Sequence, residues 1–510
     1  MKLVLTFPPP APEYRTIQTG HEDTLPNPPP TAHAVLAAYL RERIENLNIL
    51  TVPDSKSVGD GKTAYRSIEE VTALCLDADV LGITCWFHNM PTALELAQRV
   101  KALNDRVRVV LGGPNVSSRR MARLVLRTVP QVDAVVRRDG EEALHQLLLG
   151  MPPRDIPGVA SRQGGTEVTN DCAPVNLASI PLWDFRDAMD WKELLNPYDA
   201  RSQSYVRSNT ATAVPRIGMF TMRGCLKAAE GVHGGRRGSC RYCTSSETSL
   251  RFDNPDHFWQ QNAHLYRTHG IQDTLIADDI LPISPAYMAT LHQARERYRD
   301  VLSSRHQSRA YAYTTTFEIP EAEQVLADSI GCGVTNYFFG TETFDPVASV
   351  KNNKDIFHEE QVTRLLTFLR GRMDSTLALL LGIPGHTKKS IQRDVDAYCR
   401  LLDRFGSDRI GEGNLTRVDV SAGAPLVGTP WYEDLRHDPR VCEDYERQTG
   451  RSLLTDVAPN YSVLLGIALK RSSDLTLDDI RQAEDTVSRR CEKRLKKGLW
   501  GGFLYTREQE

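Results

Sequence analysis

A chain of 510 residues is too long for one hydrophobic core and requires two or three domains. Its 40% hydrophobic and 25% charged content is ordinary for a globular protein, and a net charge of −3 excludes a nucleic-acid binder driven by bulk positive charge. No apolar run approaches the roughly 18 residues a transmembrane helix needs.

The chain opens with a short apolar strand, Lys2 to Phe7, and prolines follow at once, so this end reads as a first strand and not as a signal peptide. The expected location is cytoplasmic, where the ten cysteines serve as ligands, catalysts or core fillers rather than disulfides. After a loop ending in Pro28-Pro29-Pro30, Ala32 to Leu47 has the apolar stripe of a helix. NILTV, DVLGITCW, VRVVLGG and AVVRRDG then read as strands, with helices at SIEEVTALCLDA, Pro91 to Leu103, Arg119 to Thr128 and from Glu141. Five strands alternating with helices over residues 1–150 predict a doubly wound, Rossmann-like parallel sheet. Ligands of such sheets lie beyond the carboxyl ends of the strands. Those ends carry Pro8-Pro9-Pro10, Trp86-Phe87-His88-Asn89 and Gly112-Gly113-Pro114-Asn115.

Residues 151–215 have little periodicity and read as a connector, packed in part through IPLWDF (Ile180 to Phe185). Six further strand signals, from IGMFTMRG through DTLIADD, RAYAYTTTF, VTNYFFGTET and STLALLLGIPG to RVDVSAGAP, alternate with helices over residues 216–435. They predict a partial (β/α)6 barrel of the TIM type with polar residues at the strand ends. Residues 436–510 are charged and read as a helical C-terminal region. No internal repeat or low-complexity tract is visible.

Three cysteines follow the first barrel strand: Cys225, then Cys240 and Cys243 in a Cys-x2-Cys pair. Thiolates are soft ligands that suit zinc or iron–sulfur clusters. A structural zinc takes four ligands, and His233 is the candidate fourth; that reading makes the chain a non-catalytic zinc protein. Three thiolates alone suit a [4Fe-4S] cluster with one iron open to a substrate or cofactor.

Further motifs follow in order: Gly340-Thr341-Glu342-Thr343, Gly382-Ile383-Pro384-Gly385-His386-Thr387, and Pro425-Leu426-Val427-Gly428-Thr429-Pro430. With the cysteines, and with DVLGITCWFHN, VVLGGPNVS and DGEEALHQLL in the first half, they make the chain resemble radical S-adenosylmethionine (SAM) enzymes with an N-terminal cobalamin (B12)-binding-type domain. The resemblance covers roughly residues 1–435. It implies that Cys225, Cys240 and Cys243 hold the cluster, whose open iron chelates SAM, and that an electron from the cluster breaks a carbon–sulfur bond. It implies that Tyr242 lies near the adenine, that Glu342 makes a polar contact to SAM, and that the turn of Gly382, Ile383 and Gly385 approaches the adenine by its backbone. Asp278 and Asp279, ending the second barrel strand, are expected to face SAM or substrate, or else to cap a helix. In the first domain Trp86, His88, Gly113 and Asn115 are the candidate cobalamin contacts.

One departure stands out. Relatives space the cysteines Cys-x3-Cys-x2-Cys, whereas here fourteen residues, LKAAEGVHGGRRGS, separate Cys225 from Cys240. Closure entropy rises only about 0.6 kcal/mol per doubling of loop length, so the insert is compatible with a cluster. The expected function is cobalamin-dependent methyl transfer to a small metabolite in specialised biosynthesis. The alternative is non-methylating radical chemistry, such as 3-amino-3-carboxypropyl transfer or rearrangement, with a vestigial cobalamin domain. The partners implied are a small-molecule substrate and an external electron donor of flavodoxin or ferredoxin type, with no membrane and no nucleic acid.

Overall fold

The computed structural model describes residues 1–12, 30–59, 62–192, 216–225, 239–244, 249–271, 273–279, 281, 285–302, 307–312, 319–406, 416–472 and 475–495. The chain divides into two compact units. The first includes His21–Pro197 and the short segment Gly450–Pro459, and the second includes Tyr198–Thr449 and Asn460–Glu510.

In the first unit, β1 (Lys2–Thr6), β2 (Asn48–Val52), β5 (Val80–Thr84), β6 (Arg108–Gly112) and β7 (Ala134–Val136) form the parallel part of a sheet, in the order β2-β1-β5-β6-β7. These are the five strands expected from the sequence. They are near-continuous apolar runs because helices cover both faces, and Leu3, Val4 and Leu81 are fully buried. The intervening β3 (Ser55–Gly59) and β4 (Lys62–Tyr65) form an antiparallel hairpin outside the sheet. Helix Ile68–Cys75 starts on a capping box, in which the Ser67 hydroxyl accepts from the Glu70 amide and the Glu70 carboxylate accepts from the Ser67 amide.

The aperiodic stretch after residue 150 is more ordered than its composition implied. β8 (Val159–Gln163) and β9 (Thr166–Thr169) form a hairpin that joins the sheet antiparallel to β7. The turn between them is Gly164-Gly165, both with positive φ. In so short a strand, half-exposed polar residues hid the alternation. Trp183 and Phe185 of IPLWDF are buried and pack edge to face with ring centroids 5.8 Å apart.

In the second unit, β10 (Arg216–Met219), β13 (Asp273–Ile276), β14 (Gln307–Ala312), β15 (Val334–Glu342), β16 (Asp374–Leu381) and β17 (Thr416–Ala422) form one sheet in the order β10-β13-β14-β15-β16-β17. Every neighbouring pair is parallel, as consecutive β/α units require. Burial alternates along the strands. Leu377, Leu379 and Leu381 of β16 are fully buried, while Thr376, Ala378 and Leu380 are half-buried. Helix Leu477–Leu495 packs on the buried side of β16 and β17, and its Cys491 thiol donates to the Val418 carbonyl at 3.9 Å. Two short strands, β11 (Met222–Arg223) and β12 (Arg251–Phe252), pair antiparallel just beyond β10. Among the described residues no helix is long and apolar enough to cross a membrane.

Candidate functional site

The strand ends of the second unit carry the first constellation. After β10, the Asp278 carboxylate accepts from the Thr221 and Met222 amides at 2.8 and 3.1 Å and from the Thr221 hydroxyl. Asp278 is fully buried, and its carboxyl is pushed up to about 7 by that burial. Its side chain therefore ties the chain beyond β13 to the chain entering the cysteine loop. Asp279, beside it, is exposed.

This gives a pH prediction. The native state binds the Asp278 proton more tightly than the unfolded chain does, whose value is 3.8. The stabilisation is full below that value and is lost as pH rises through about 7. Asp278→Asn keeps an acceptor for the two amides and does not titrate. The native advantage over this variant in urea unfolding is expected to shrink steadily between about pH 4 and 7.

The β11–β12 ribbon clasps the base of the cysteine loop. Met222 pairs with Phe252 and Arg223 with Arg251, and the Asp253 amide donates to the Thr221 carbonyl at 2.8 Å. Cys225, Cys240 and Cys243 are all half-buried and none is disulfide-bonded. Residues 226–238, with His233 and the arginines of the insert, lie outside the described residues. Cys240 to Cys243 form a turn closed by the Cys243 amide on the Cys240 carbonyl at 3.0 Å. Two flanking segments grip it. The Arg241 amide donates to the Asn352 carbonyl at 3.1 Å, and the Arg241 carbonyl accepts from the Trp431 amide at 3.0 Å. The Tyr242 hydroxyl is buried and has no hydrogen-bond partner among the described residues.

Glu342 ends β15 with φ 61, a conformation unfavourable for a side-chain-bearing residue. It is buried, and so is Lys354, whose Nζ lies 3.2 Å from Glu342 Oε1. Thr343 is fixed by a proton chain. The Gly382 amide donates to His386 Nδ1 at 3.2 Å, so the ring proton sits on Nε2, which donates to Thr343 Oγ1 at 3.1 Å. The Thr343 hydroxyl donates in turn to Asp394 at 2.6 Å. Burial pushes His386 down to about 4 and Asp394 up to about 6.

Gly382 and Gly385 have φ 74 and 99, and Ile383 between them is buried. A Cβ on Gly385 would lie 3.1 Å from the Ala348 Cα, so the turn packs against helix Pro346–Lys351. The Asn352 amide group, donating to the Pro384 carbonyl at 2.7 Å, fastens the same turn. Asn352 thus joins the cysteine turn to the β16 turn, a role that its sequence context did not signal. The structure brings Cys240, Cys243, Glu342 and the Gly382–Gly385 turn together through Asn352 and Lys354.

The first unit carries a second constellation. Strand order reverses between β1 and β5, which makes the crevice beyond their carboxyl ends the expected ligand site. Asn89 is fully buried and knots this edge. Its amide group donates to the Pro8 and Thr84 carbonyls at 3.2 and 3.0 Å, and its oxygen accepts from the Trp86 amide at 2.7 Å. Trp86 is 43% exposed, a large apolar surface at the crevice. His88 packs among Phe7, Trp86 and Phe87, with ring centroids 5.8, 6.1 and 5.1 Å away. Burial lowers it to about 4, so its imidazole is neutral at pH 7. Asn115 is buried, its amide donates to the Cys85 carbonyl at 3.1 Å, and its Nδ2 has no hydrogen-bond partner among the described residues.

His33, at the start of helix Thr31–Arg41, was missed by the sequence reading. Its Nε2 lies 2.9 Å from the Thr84 hydroxyl at the end of β5, and its buried Nδ1 has no hydrogen-bond partner among the described residues.

Gly113 holds φ 94 and ψ 174, and a Cβ there would lie 2.7 Å from the Cys85 carbonyl oxygen. This backbone region is open only to glycine. Gly113→Ala is expected to destabilise the first unit by about 3 kcal/mol. Faster amide exchange in its sheet, with the second sheet unchanged, is the measurement that checks this.

Residues 26–148 match the family model of the B12 binding domain. The chain is similar to two radical SAM structures over most of its length. One is the methyltransferase TsrM from Kitasatospora setae, solved with cobalamin and a [4Fe-4S] cluster bound: TM-score 0.60, 16% identity, 87% of this chain and 75% of that one. The other is OxsB, solved with aqua-cobalamin and SAM: TM-score 0.61, 13% identity, 95% of this chain and 66% of that one.

The fold is that of the cobalamin-dependent radical SAM enzymes.

An uncharacterized methyltransferase of Pyrococcus horikoshii is 23% identical over 420 residues, 79% of this chain and 78% of that protein. The 2-(S-pantetheinyl)-carbapenam-3-carboxylate methyltransferase of Streptantibioticus cattleyicolor is 31% identical over 102 residues, 19% of this chain and 15% of that protein. Among the described residues, no group of three or more His, Cys, Asp or Glu side chains is drawn into metal-ligating geometry.

Proposed function

We propose that this chain is a cobalamin-dependent radical SAM enzyme that methylates a small molecule. The observation that carries the reading is the Cys240–Cys243 turn, held to the Glu342 and Gly382–Gly385 strand ends, in a chain whose first domain matches a B12-binding domain. The residue types suit the groups. Three half-buried thiols, Cys225, Cys240 and Cys243, would hold the cluster, and soft sulfur donors suit iron. Trp86, Gly113 and Asn115 would hold the corrin. The exposed indole offers an apolar face, Gly113 allows close backbone approach, and the Asn115 Nδ2 proton is available to a peripheral amide oxygen.

When bound, the cluster supplies an electron for SAM cleavage and cobalamin supplies a carrier for the methyl group. The chain's own residues bind and orient. Glu342, paired with Lys354, would accept hydrogen bonds from SAM, and Tyr242 and the Gly382–Gly385 turn would border its adenine. His386 and Asp394 hold the hydroxyl of Thr343, the residue after Glu342. An external electron donor and a cytoplasmic setting belong to the same reading.

The test is anaerobic product analysis. The reconstituted protein is given SAM, reductant and hydroxocobalamin, and the cleaved products are identified by mass spectrometry. Deoxyadenosine together with S-adenosylhomocysteine and retained cobalamin is the expected result. Methylthioadenosine without bound cobalamin would replace the methyltransferase reading with 3-amino-3-carboxypropyl transfer. One zinc per chain and no iron would replace both.

A further inference from the structure

The segment that follows Glu342 has an inner and an outer side. The inner side grips the cysteine turn: the Asn352 carbonyl accepts from the Arg241 amide at 3.1 Å, and the Cys240 thiol donates to the Asn353 carbonyl at 4.0 Å. The outer side is open. On helix Pro346–Lys351, Ala348 and Ser349 are buried, whereas Val347 and Val350 are 55% and 49% exposed, and Ile356 beyond the helix is 39% exposed. Among the described residues of the second unit the other large apolar side chains so exposed are Phe220 and Phe252, so three of the five fall within ten residues of chain. Exposed apolar residues are ordinarily scattered singly, and a cluster of them marks a contact surface.

Val347, Val350 and Lys351 stand at i, i+3 and i+4 and so share one face of the helix. The Lys351 stem crosses the β16 turn, since a Cβ on Gly385 would fall 2.9 Å from the Lys351 Cδ. That turn leads into helix Lys388–Phe405, whose first turn holds no acidic residue and whose Lys389 and Arg393, four residues apart, are exposed. Where these cations meet acids, the cation is the more exposed partner. Arg393 lies 2.8 Å from Asp345, with side-chain exposures of 62% and 6%, and Lys388 lies 3.0 Å from Asp479, with exposures of 57% and 26%. Asp355, at the far end of the segment, is half-buried. The surface is therefore apolar along the short helix and cationic on its flank.

We propose that this face docks the electron donor, an acidic one-electron carrier protein of the flavodoxin type. The inference rests on the proposed function, which requires such a donor and leaves its docking site open. Two observations select this partner. The first is nearness to the cysteines: three residues of chain separate Val350 from Asn353, a span of at most about 11 Å, and the Asn353 carbonyl meets the Cys240 thiol. The second is charge. Electron-transfer encounters bury little area and are steered by opposite charge, and a small apolar patch flanked by Lys351, Lys389 and Arg393 offers both terms to an acidic protein. One electron leaves the reduced flavin of the carrier and enters the cluster, and no bond of this chain forms or breaks.

The test uses the reconstituted full-length protein, with reduced flavodoxin as the docking reductant and dithionite as a small one that needs no docking surface. Reduction of the cluster is followed by stopped-flow absorbance. The flavodoxin rate is expected to fall about tenfold when Lys351→Glu and Lys389→Glu are combined, to fall severalfold in Val350→Ser, and to fall with added salt in the native protein. The dithionite rate is expected to stay the same in every variant, which a general loss of structure would not allow. Circular dichroism and iron content establish that each variant is folded, and the Lys351→Gln, Lys389→Gln pair takes the place of the Glu pair if that one is not. A native flavodoxin rate in the charge-reversed variant, or no reduction of the native protein by flavodoxin, would overturn the proposal. So would a native dimer that Val350→Ser dissociates, which would give the face to a second copy of the chain. SAM cleavage is measured in parallel with dithionite. Cleavage with a flavodoxin rate indifferent to Lys351 and Lys389 sinks this inference alone, whereas a rate that depends on them without cleavage sinks the proposed function instead.

Discussion

Replacing any one of Cys225, Cys240 or Cys243 with alanine is expected to bring SAM cleavage down to the level of the iron-free protein. The three thiols are half-buried and none is disulfide-bonded. Small half-exposed side chains contribute little to packing, and the loss of stability is expected to stay within about 1 kcal/mol. The contrast between these two outcomes makes the result specific. Iron and sulfide content after reconstitution, read beside the thermal midpoint, distinguishes a lost ligand from a lost fold. A variant that keeps full iron content and full cleavage would remove that cysteine from the ligand set. The 240–243 turn is braced on both sides by backbone bonds to Asn352 and Trp431, so the substitutions at 240 and 243 leave the turn itself in place.

The second large effect falls on Lys354. Its ammonium lies 3.2 Å from Glu342 within a site where both side chains are nearly inaccessible, with side-chain exposures of 5% and 9%. Removing the cation leaves a buried carboxylate, which typically costs about 3–5 kcal/mol. Lys354→Met keeps the aliphatic stem and deletes the charge, so the expected loss is electrostatic. At roughly 2–4 °C per kcal/mol for a unit of this size, the midpoint should fall on the order of 10 °C. Adding Glu342→Gln to Lys354→Met should restore most of the loss, because the double change removes both charges. Equal destabilisation by the single and double variants would show that Lys354 acts through packing instead.

Much of the fold was legible because parallel sheets write themselves into sequence as apolar runs of fixed length between helices. NILTV, DVLGITCW and VVLGG were readable for that reason, and so were the strand ends carrying Glu342 and Gly382. The β8–β9 hairpin was not, because a short edge hairpin has half-exposed polar positions and no buried run. Asp278 was legible as a polar residue at a strand end but not in its role. Its carboxylate serves the backbone of Thr221 and Met222, and a sequence does not reveal which amides a loop leaves unsatisfied. Asn352 and His33 were invisible for a related reason. Each acts on a residue distant in the chain, Pro384 and Thr84 respectively, and nothing local marks them.

The clasp formed by Met222–Arg223 and Arg251–Phe252 has an evolutionary consequence. By holding the two stems of the cysteine loop together at its root, it makes the span between them an exchangeable cassette. Length can be added or removed above the clasp while the rim of the sheet keeps its shape, since the entropy of bringing the stems together is met by the ribbon rather than by the thiols. A fourteen-residue spacer between the first two cysteines is then one member of a series that the same scaffold can carry. Grafting a three-residue spacer into this position should leave the thermal midpoint of the second unit unchanged.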